Sequence, residues 1–172
     1  MYIFAYRKTI NTYRVMKKRL QKSLTGIYLF ILLIGAVSVL AIVDQTFGYF
    51  GEPVEQAITW QEDIKALQMT IVILRCVSLM AFFGSLLLFI VNFIHSIKAG
   101  QLFPKRSIPL LFVCTATSFI YFLCNDNLHI VTCAERNFVI TMESMIVPMI
   151  ILVFAFMYKA AVQVYEENSL TI

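Results

Sequence analysis

Two charged residues lie inside otherwise apolar runs of the sequence. Arg75 opens one run and Glu143 interrupts another, which extends from Phe138 to Tyr158. A charge at membrane depth is costly unless it is paired or reaches water, so opposite charges at similar depth favour each other. We therefore predict an intramembrane ion pair between Arg75 and Glu143. Separate snorkelling of the two side chains and a role in proton-coupled transport are the alternatives.

Two cysteines, Cys124 and Cys133, enclose the short segment CNDNLHIVTC. In an oxidising compartment they could form a disulfide, and otherwise they are free thiols, so both readings remain open. The same segment contains Asp126 and His129, whose side chains bind metals in other settings. Their spacing matches no standard zinc pattern, and we expect neither a metal nor another cofactor.

Signatures of catalysis are absent from the sequence. It contains no H-E-x-x-H, G-x-S-x-G or phosphate-loop motif, and no paired aspartates within the apolar runs. His95 and His129 have no obvious nucleophile nearby in the sequence. We expect a protein that is not an enzyme.

Four apolar runs must position these residues, and they occupy approximately 24–43, 71–96, 108–125 and 138–160. A helix of ~20 residues crosses the ~30 Å hydrocarbon core of a bilayer. Only 14% of residues are charged, against ~25% in soluble proteins, so a soluble bundle is excluded. The sequence predicts an all-α, polytopic four-transmembrane-helix bundle that forms a single membrane domain over residues 1–172.

The segments that flank the spans have their own patterns. Residues 1–22 are basic with apolar residues at spacings of three and four, which predicts an amphipathic helix that attracts anionic lipid of the bilayer. Direct binding of nucleic acid is not expected. After Pro53, the 44–68 connection predicts a short interfacial helix that caps the bundle, or alternatively a lid. Residues 161–172 form the C-terminal tail.

Orientation follows from the positions of lysine and arginine. Eleven of the 14 lie in the N-terminal segment, between spans two and three, or after span four, and only Lys65 and Arg136 lie in the other two connections. Positive charge is retained on the cytoplasmic side. We therefore predict a multi-pass plasma-membrane protein with both termini in the cytoplasm.

Small and polar residues form seams along the spans. They follow one face of span two and one face of span three, and comprise Ser78, Ser85, Asn92, Cys114, Ser118, Tyr121 and Asn125. Polar groups are costly in lipid, and small residues let helices approach closely. The pattern predicts a polar seam in the interior of the bundle, which serves helix packing.

Two motifs at the cytoplasmic side carry a family resemblance. The connection IKAGQLF at 97–103 and the ending AVQVYEENSLTI at 161–172, together with the four-span layout, resemble the domain of unknown function 2975 family. Ser169 stands where that family often has an acidic residue. The resemblance implies a small bacterial integral membrane protein, frequently encoded beside a small helix-turn-helix DNA-binding regulator, which would be its partner.

The tail predicts how such a partner would bind. Two acidic residues at a helix C-terminus oppose the helix dipole, so we expect the last helix to fray there. The following apolar end could then bind a groove or a sheet edge, and a disordered terminus is the alternative. This docking segment comprises Glu166, Glu167, Asn168, Leu170, Thr171 and Ile172.

The leading functional hypothesis is a non-catalytic membrane regulator, or tether, for the helix-turn-helix protein. The alternatives are a small-solute or lipid-binding transporter-like protein and an accessory subunit of a membrane complex.

The predicted orientation in the membrane is directly testable with single-cysteine variants. An impermeant thiol reagent added to intact cells should label a cysteine at Gly51 and should not label one at Gln101, since the basic connection stays inside. Labelling at Gln101 would reverse the orientation.

Overall fold

The computed structural model describes residues 2–47, 60–101, 103–133 and 136–169, with the side chains of 2–15, 17, 43–47, 143 and 169 excepted. Within these residues the structure is all-helical and has no strands. The helices are α1 (Tyr2–Phe47), α2 (Lys65–Ala99), α3 (Ile108–Asp126), α4 (His129–Thr132) and α5 (Met142–Ser169), and a 3-10 turn (Lys105–Ser107) precedes α3.

Four of these helices are long and apolar enough to cross a membrane, which confirms the predicted fold class. The segments that meet this criterion are Lys18–Ile42, Lys65–Ala99, Lys105–Asp126 and Ser144–Asn168. Between 11% and 28% of each apolar window is buried inside the bundle, so most of the apolar side chains face outward. In water such a surface would drive association, whereas in a bilayer it contacts lipid. The protein is a multi-pass membrane protein.

The helices form a chain of contacts in which α2 packs against α1 and α3, and α3 packs against α5. At one end of the bundle are the 100–107 connection and the exposed cations Lys18, Lys22, Lys98, Lys105, Arg106 and Lys159. We call this the basic end. The other, which contains the start of α2, α4 and the 136–141 stretch, we call the acidic end.

Two differences from the predicted boundaries concern the N-terminal segment and span four. The basic segment is helical as expected, and it continues into span one within the single helix α1. Span four was predicted from Phe138, but α5 begins at Met142. Residues 136–141 are outside helices because backbone groups of Val139 and Thr141 form hydrogen bonds with the side chains of Asn127 and Asp126. The predicted interfacial helix after Pro53 falls on residues 48–59, outside the described part of the chain.

Gly100 ends α2 and turns the chain towards α3. Its φ is +83°, which is unfavourable for residues with a side chain, and its N–H donates to the Ile97 carbonyl at 3.2 Å. The Gln101 N–H donates to the Ser96 carbonyl at 2.8 Å. These bonds satisfy carbonyls that the end of a helix leaves open, as in a Schellman motif. The glycine of the IKAGQLF segment is thus a helix-stopping residue.

Gly35 sets the distance between α1 and α2. A Cβ atom added there would lie 3.1 Å from Cγ of Phe83 on α2, which is tighter than ordinary van der Waals contact. Gly26, on the same helix, has nothing within 4 Å of the corresponding position. The close approach therefore depends on a residue without a side chain at one point of the interface.

Replacement of Gly35 by leucine should push α1 away from α2 and lower the free energy of unfolding by about 1–3 kcal/mol through overpacking. Gly26→Leu is the matched control, and it should leave stability unchanged or raise it slightly, since leucine is the better helix former. Thermal unfolding in mild detergent measures both. Equal effects of the two substitutions would show that Gly35 has no special role in the interface.

Candidate functional site

The polar side chains of the acidic end form a cluster in which each bonds to the backbone of a neighbouring element. We call this set the acidic-end cluster; it comprises Gln68, Asp126, Asn127, His129 and Thr141. It joins α2, α3, α4 and the 136–141 stretch to the start of α5. This is the largest concentration of polar contacts in the described residues, and the first candidate for a site.

Asn127 follows α3 directly and is 1% exposed. Its Nδ2 donates to the carbonyl oxygens of Leu123 and Val139, both at 2.8 Å. Its Oδ1 accepts from the Val139 N–H, also at 2.8 Å. The side-chain amide thus imitates a backbone peptide and pairs with both polar groups of Val139. It holds the 136–141 stretch against the end of α3, where a helix starting at Phe138 would have been expected.

Asp126 determines where α5 begins. The backbone N–H and the hydroxyl of Thr141 donate to Asp126 Oδ2 at 3.0 and 2.9 Å. The Thr141 Oγ1 in turn accepts from the Ser144 N–H at 3.3 Å, as an N-cap does. Hydrogen bonds to a carboxylate are among the stronger ones in proteins. The last residue of α3 and the cap of α5 are therefore joined directly.

Gln68 is a fully buried polar residue on α2. Its Nε2 donates to the Ile130 carbonyl at 3.0 Å, and its Oε1 accepts from the Gln61 N–H at 3.1 Å. Beside it, Ile130 and Val131 of α4 pack against Ile71. Buried amides are stable only when hydrogen-bonded, so Gln68 ties α4 and the chain before α2 to the bundle.

His129 and Asp126 do not point at a common position. The His129 ring nitrogens lie beside backbone carbonyls, with Nδ1 3.0 Å from the oxygen of Asp126 and Nε2 2.7 Å from that of Asn137. A neutral imidazole has a single N–H, so only the doubly protonated ring can donate to both. The Asp126 carboxylate bonds to Thr141 instead. The metal-binding alternative therefore finds no support in their arrangement.

Arg75 lies on α2 just below this cluster, and its Nη2 donates to Asn125 Oδ1 on α3 at 3.2 Å. Its predicted partner, Glu143, is the second residue of α5, and its side chain is outside the described part of the chain. The ion pair between them stays a prediction. An ion pair that the sequence did not predict joins Arg136 to Asp63 and links the two connections at this end.

The predicted interior seam follows α2 and α3. Ser78, Ser85 and Ser118 are buried, and each hydroxyl donates to a carbonyl of its own helix at 2.8–3.1 Å. Ser85 Oγ also lies 3.0 Å from Cys114 Sγ on α3. Asn92 and Tyr121 are half-buried.

The contacts between α2 and α3 define how the two helices align. Two contacts fix this alignment, one between Arg75 and Asn125 and the other between Ser85 and Cys114. From the first contact to the second, the residue number rises by ten along α2 and falls by eleven along α3. Two straight antiparallel helices would give this relation. Because the serine hydroxyls bond within their own helices, the seam consists of small, internally satisfied groups that let the helices approach.

Cys124 and Cys133, the two cysteines of the CNDNLHIVTC segment, are both free thiols. Cys124 is buried in the cluster with Ile71, Ile130 and Val131, whereas Cys133 is exposed at the end of α4. Since one side chain faces the core and the other faces out, the disulfide reading is not realised in this structure.

At the basic end, aromatic rings connect the 100–107 connection to α5. Phe103 contacts the rings of Tyr158 and Tyr165, with centroids 6.0 Å apart in both pairs. The Tyr158 hydroxyl donates to the Pro104 carbonyl at 3.2 Å. Aromatic pairs in this edge-to-face geometry add to the stabilisation that burial alone provides. The end of α5 is thereby packed onto the chain before α3.

The predicted fraying of the tail at Glu166 and Glu167 is wrong, because α5 continues to Ser169. Lys105 Nζ lies 3.2 Å from Glu166 Oε2, and this ion pair compensates the unfavourable position of one carboxylate near a helix C-terminus. Asn168 is likewise helical and exposed. Leu170, Thr171 and Ile172, the apolar part of the docking segment, lie outside the described residues.

Sequence reasoning missed Gln68, Asn127 and Thr141. Signals were present for two of them: Asn127 ends an Asn-Asp-Asn triplet directly after an apolar run, and Thr141 precedes α5 in the position of a cap. Gln68 carried no comparable signal, since its partners are distant in sequence.

The chain matches no family model, no curated protein and no solved structure.

Asn127→Leu should lower the free energy of unfolding by about 2–3 kcal/mol, because it removes the three hydrogen bonds of a buried amide and leaves the N–H and carbonyl of Val139 without their partner. The control is Asn137→Leu in the exposed stretch nearby, which should change stability by less than about 0.5 kcal/mol. Denaturant unfolding in detergent micelles compares them. If Asn127→Leu is as mild as the control, the clamp contributes nothing to stability.

Proposed function

We propose that this protein is a non-catalytic integral membrane protein that tethers a small cytoplasmic protein through the C-terminal end of α5. The observation that carries the proposal is the position of that end. The last turns of α5 extend beyond Lys159, are exposed, and are fixed to the 100–107 connection by the Lys105–Glu166 ion pair and the Phe103–Tyr165 contact.

A fixed helix end is a better docking point than a frayed one. Ordering a flexible tail on binding costs free energy that subtracts from the affinity, and a tail that leaves the bundle at a defined place costs less. Glu167 and Asn168 remain exposed on the helix surface, next to the apolar residues that follow. A partner would recognise an acidic helical surface together with the apolar residues that follow it in the sequence.

Two further considerations support a regulatory rather than a catalytic role. The polar side chains of the acidic-end cluster and of the seam bond to backbone groups, which accounts for them as structural residues. The clustering of cations at the end from which α5 projects supports a cytoplasmic location for that end and for both termini, in the plasma membrane.

The nature of the partner comes from the sequence alone. The resemblance of IKAGQLF and the EENSLTI ending to the domain of unknown function 2975 family favours a small helix-turn-helix DNA-binding protein. Such a protein held at the membrane would be kept from, or released to, its DNA sites according to the state of the tether.

Deletion of residues 166–172 should release the partner without impairing folding, because it keeps the apolar stretch of α5 up to Tyr158 and the contact between Phe103 and Tyr165. The double change Leu170→Asp with Ile172→Asp should act like the deletion, since an apolar groove rejects unpaired carboxylates. Gln163→Asp adds a charge to an exposed position one turn earlier and is the control. Affinity purification in mild detergent from native membranes compares the four chains. A helix-turn-helix protein retained equally by all of them would refute the tether.

A further inference from the structure

Three side chains of the acidic-end cluster contact every second residue of the 136–141 stretch. The pairs are Asp126 with Thr141, Asn127 with Val139, and His129 with Asn137. Since one number rises as the other falls, the stretch runs antiparallel to the segment that holds it. It is attached at three points in order, and the His129 contact is the one farthest from the start of α5.

The His129 contact differs from the other two because it depends on a proton. Nε2 lies 2.7 Å from the Asn137 carbonyl oxygen, and Nδ1 lies 3.0 Å from that of Asp126. A carbonyl oxygen can only accept, so each ring nitrogen must carry a hydrogen in order to bond. The neutral ring has one N–H and directs a lone pair at the other oxygen, whereas the imidazolium donates to both. The observed arrangement is therefore complementary to the protonated ring.

Exposure determines which of the two contacts the neutral ring gives up. The contact with the Asn137 carbonyl is exposed, and the one with the Asp126 carbonyl is partly buried. Water can replace the ring as a donor to an exposed carbonyl, but a partly buried carbonyl gains more from keeping its partner. On deprotonation the ring keeps its hydrogen at Nδ1, and the contact with Asn137 is lost.

Other ionisable groups lie on the elements around His129. They comprise Glu62, Asp63, Lys65, Arg75, Cys124, Asp126, Cys133 and Arg136, while Glu135 and Glu143 lie nearby in the sequence. In peptides, carboxylic acids titrate near pH 4, and thiols, lysine and arginine titrate above about pH 8. Histidine titrates between about pH 5 and 8. A change at the acidic end within that range is therefore assigned to His129.

We propose that His129 is a pH-sensitive switch that controls how the 136–141 stretch is attached to the bundle. With the ring protonated, the stretch is held at all three points. Loss of the proton as the pH rises releases the Asn137 end, whereas Asn127 and Asp126 keep the rest in place. This switch is independent of the tether proposed above, and it requires only the packing at the acidic end.

The Val139 amide reports on the release, because its N–H donates to Asn127 Oδ1 at the attachment point next to Asn137. Hydrogen exchange of this amide is measured in the full chain in mild detergent, at about pH 5.5 and at about pH 7.5. The rates are corrected for the intrinsic dependence of amide exchange on pH. Protection should be about fivefold greater at the lower pH, which corresponds to one hydrogen bond of ordinary net strength.

Three variants assign the effect to the charge on residue 129. His129→Gln is neutral at every pH and should show the lower protection throughout. His129→Arg is charged at every pH and carries several N–H donors, so it should retain the higher protection throughout. His95→Gln removes the second of the chain's two histidines, which is exposed near the other end of α2, and should behave as the natural chain does.

Equal protection of the Val139 amide at the two pH values in the natural chain would overturn the proposal. A pH dependence that survives in either variant of residue 129, or that is lost in His95→Gln, would do the same, since another group would then be responsible. Low protection in His129→Arg at the higher pH would also refute it, because charge would not be what holds the stretch. The arginine variant decides the question by itself if His129→Gln does not fold.

Discussion

The hydrocarbon core of the membrane imposes the constraint on which the rest of this structure depends. A backbone N–H or carbonyl without a partner costs several kcal/mol there, so the chain crosses as helices and leaves them only near the two surfaces. Near both surfaces, backbone groups that lack a partner within a helix form other hydrogen bonds. Gly100 and Gln101 bond back to the end of α2, and Asn127 supplies a side-chain amide where the backbone of Val139 lacks a helical partner.

The same constraint explains how polar side chains are distributed. In the middle of α2 and α3 they are small hydroxyls and a thiol, and the hydroxyls bond to carbonyls of their own helices. Amides and carboxylates occur near the ends, where they join separate elements: Gln68 to α4, and Asp126 to the cap of α5. Within the bilayer the polar groups allow close packing, whereas at its surface they determine where helices begin.

The spans and the fold class could be predicted from the sequence because both follow from local hydropathy. The start of α5 could not, since residues 138–141 are as apolar as the helix after them. What keeps them out of the helix is Asn127, twelve residues away from Val139. The continuation of α5 past Glu166 was missed for a similar reason, because local dipole reasoning predicted fraying and the ion-pair partner of Glu166, Lys105, lies 61 residues away in the sequence. Contacts between distant residues decided each boundary that was missed.

Some residues of the candidate sites could likewise be predicted from the sequence, and others could not. Seam residues were predictable because a periodic stripe of small residues on an apolar helix has few other uses, and two residues of that stripe, Ser85 and Cys114, are in contact. An apolar groove between α1 and α5, lined in part by Phe89, Phe93 and Phe154, was not predictable, since its phenylalanines are indistinguishable in sequence from those that face lipid. Only packing shows which of them enclose a space.

Helix α5 links the two ends of the molecule. Its start is fixed by Asp126 and Thr141, its end by Lys105 and Phe103, and along its length it packs on α3. An open groove lies along each of its two flanks. Between these two ends, its position depends on buried packing contacts, in which Ala155, Tyr158 and Val162 face the rest of the bundle.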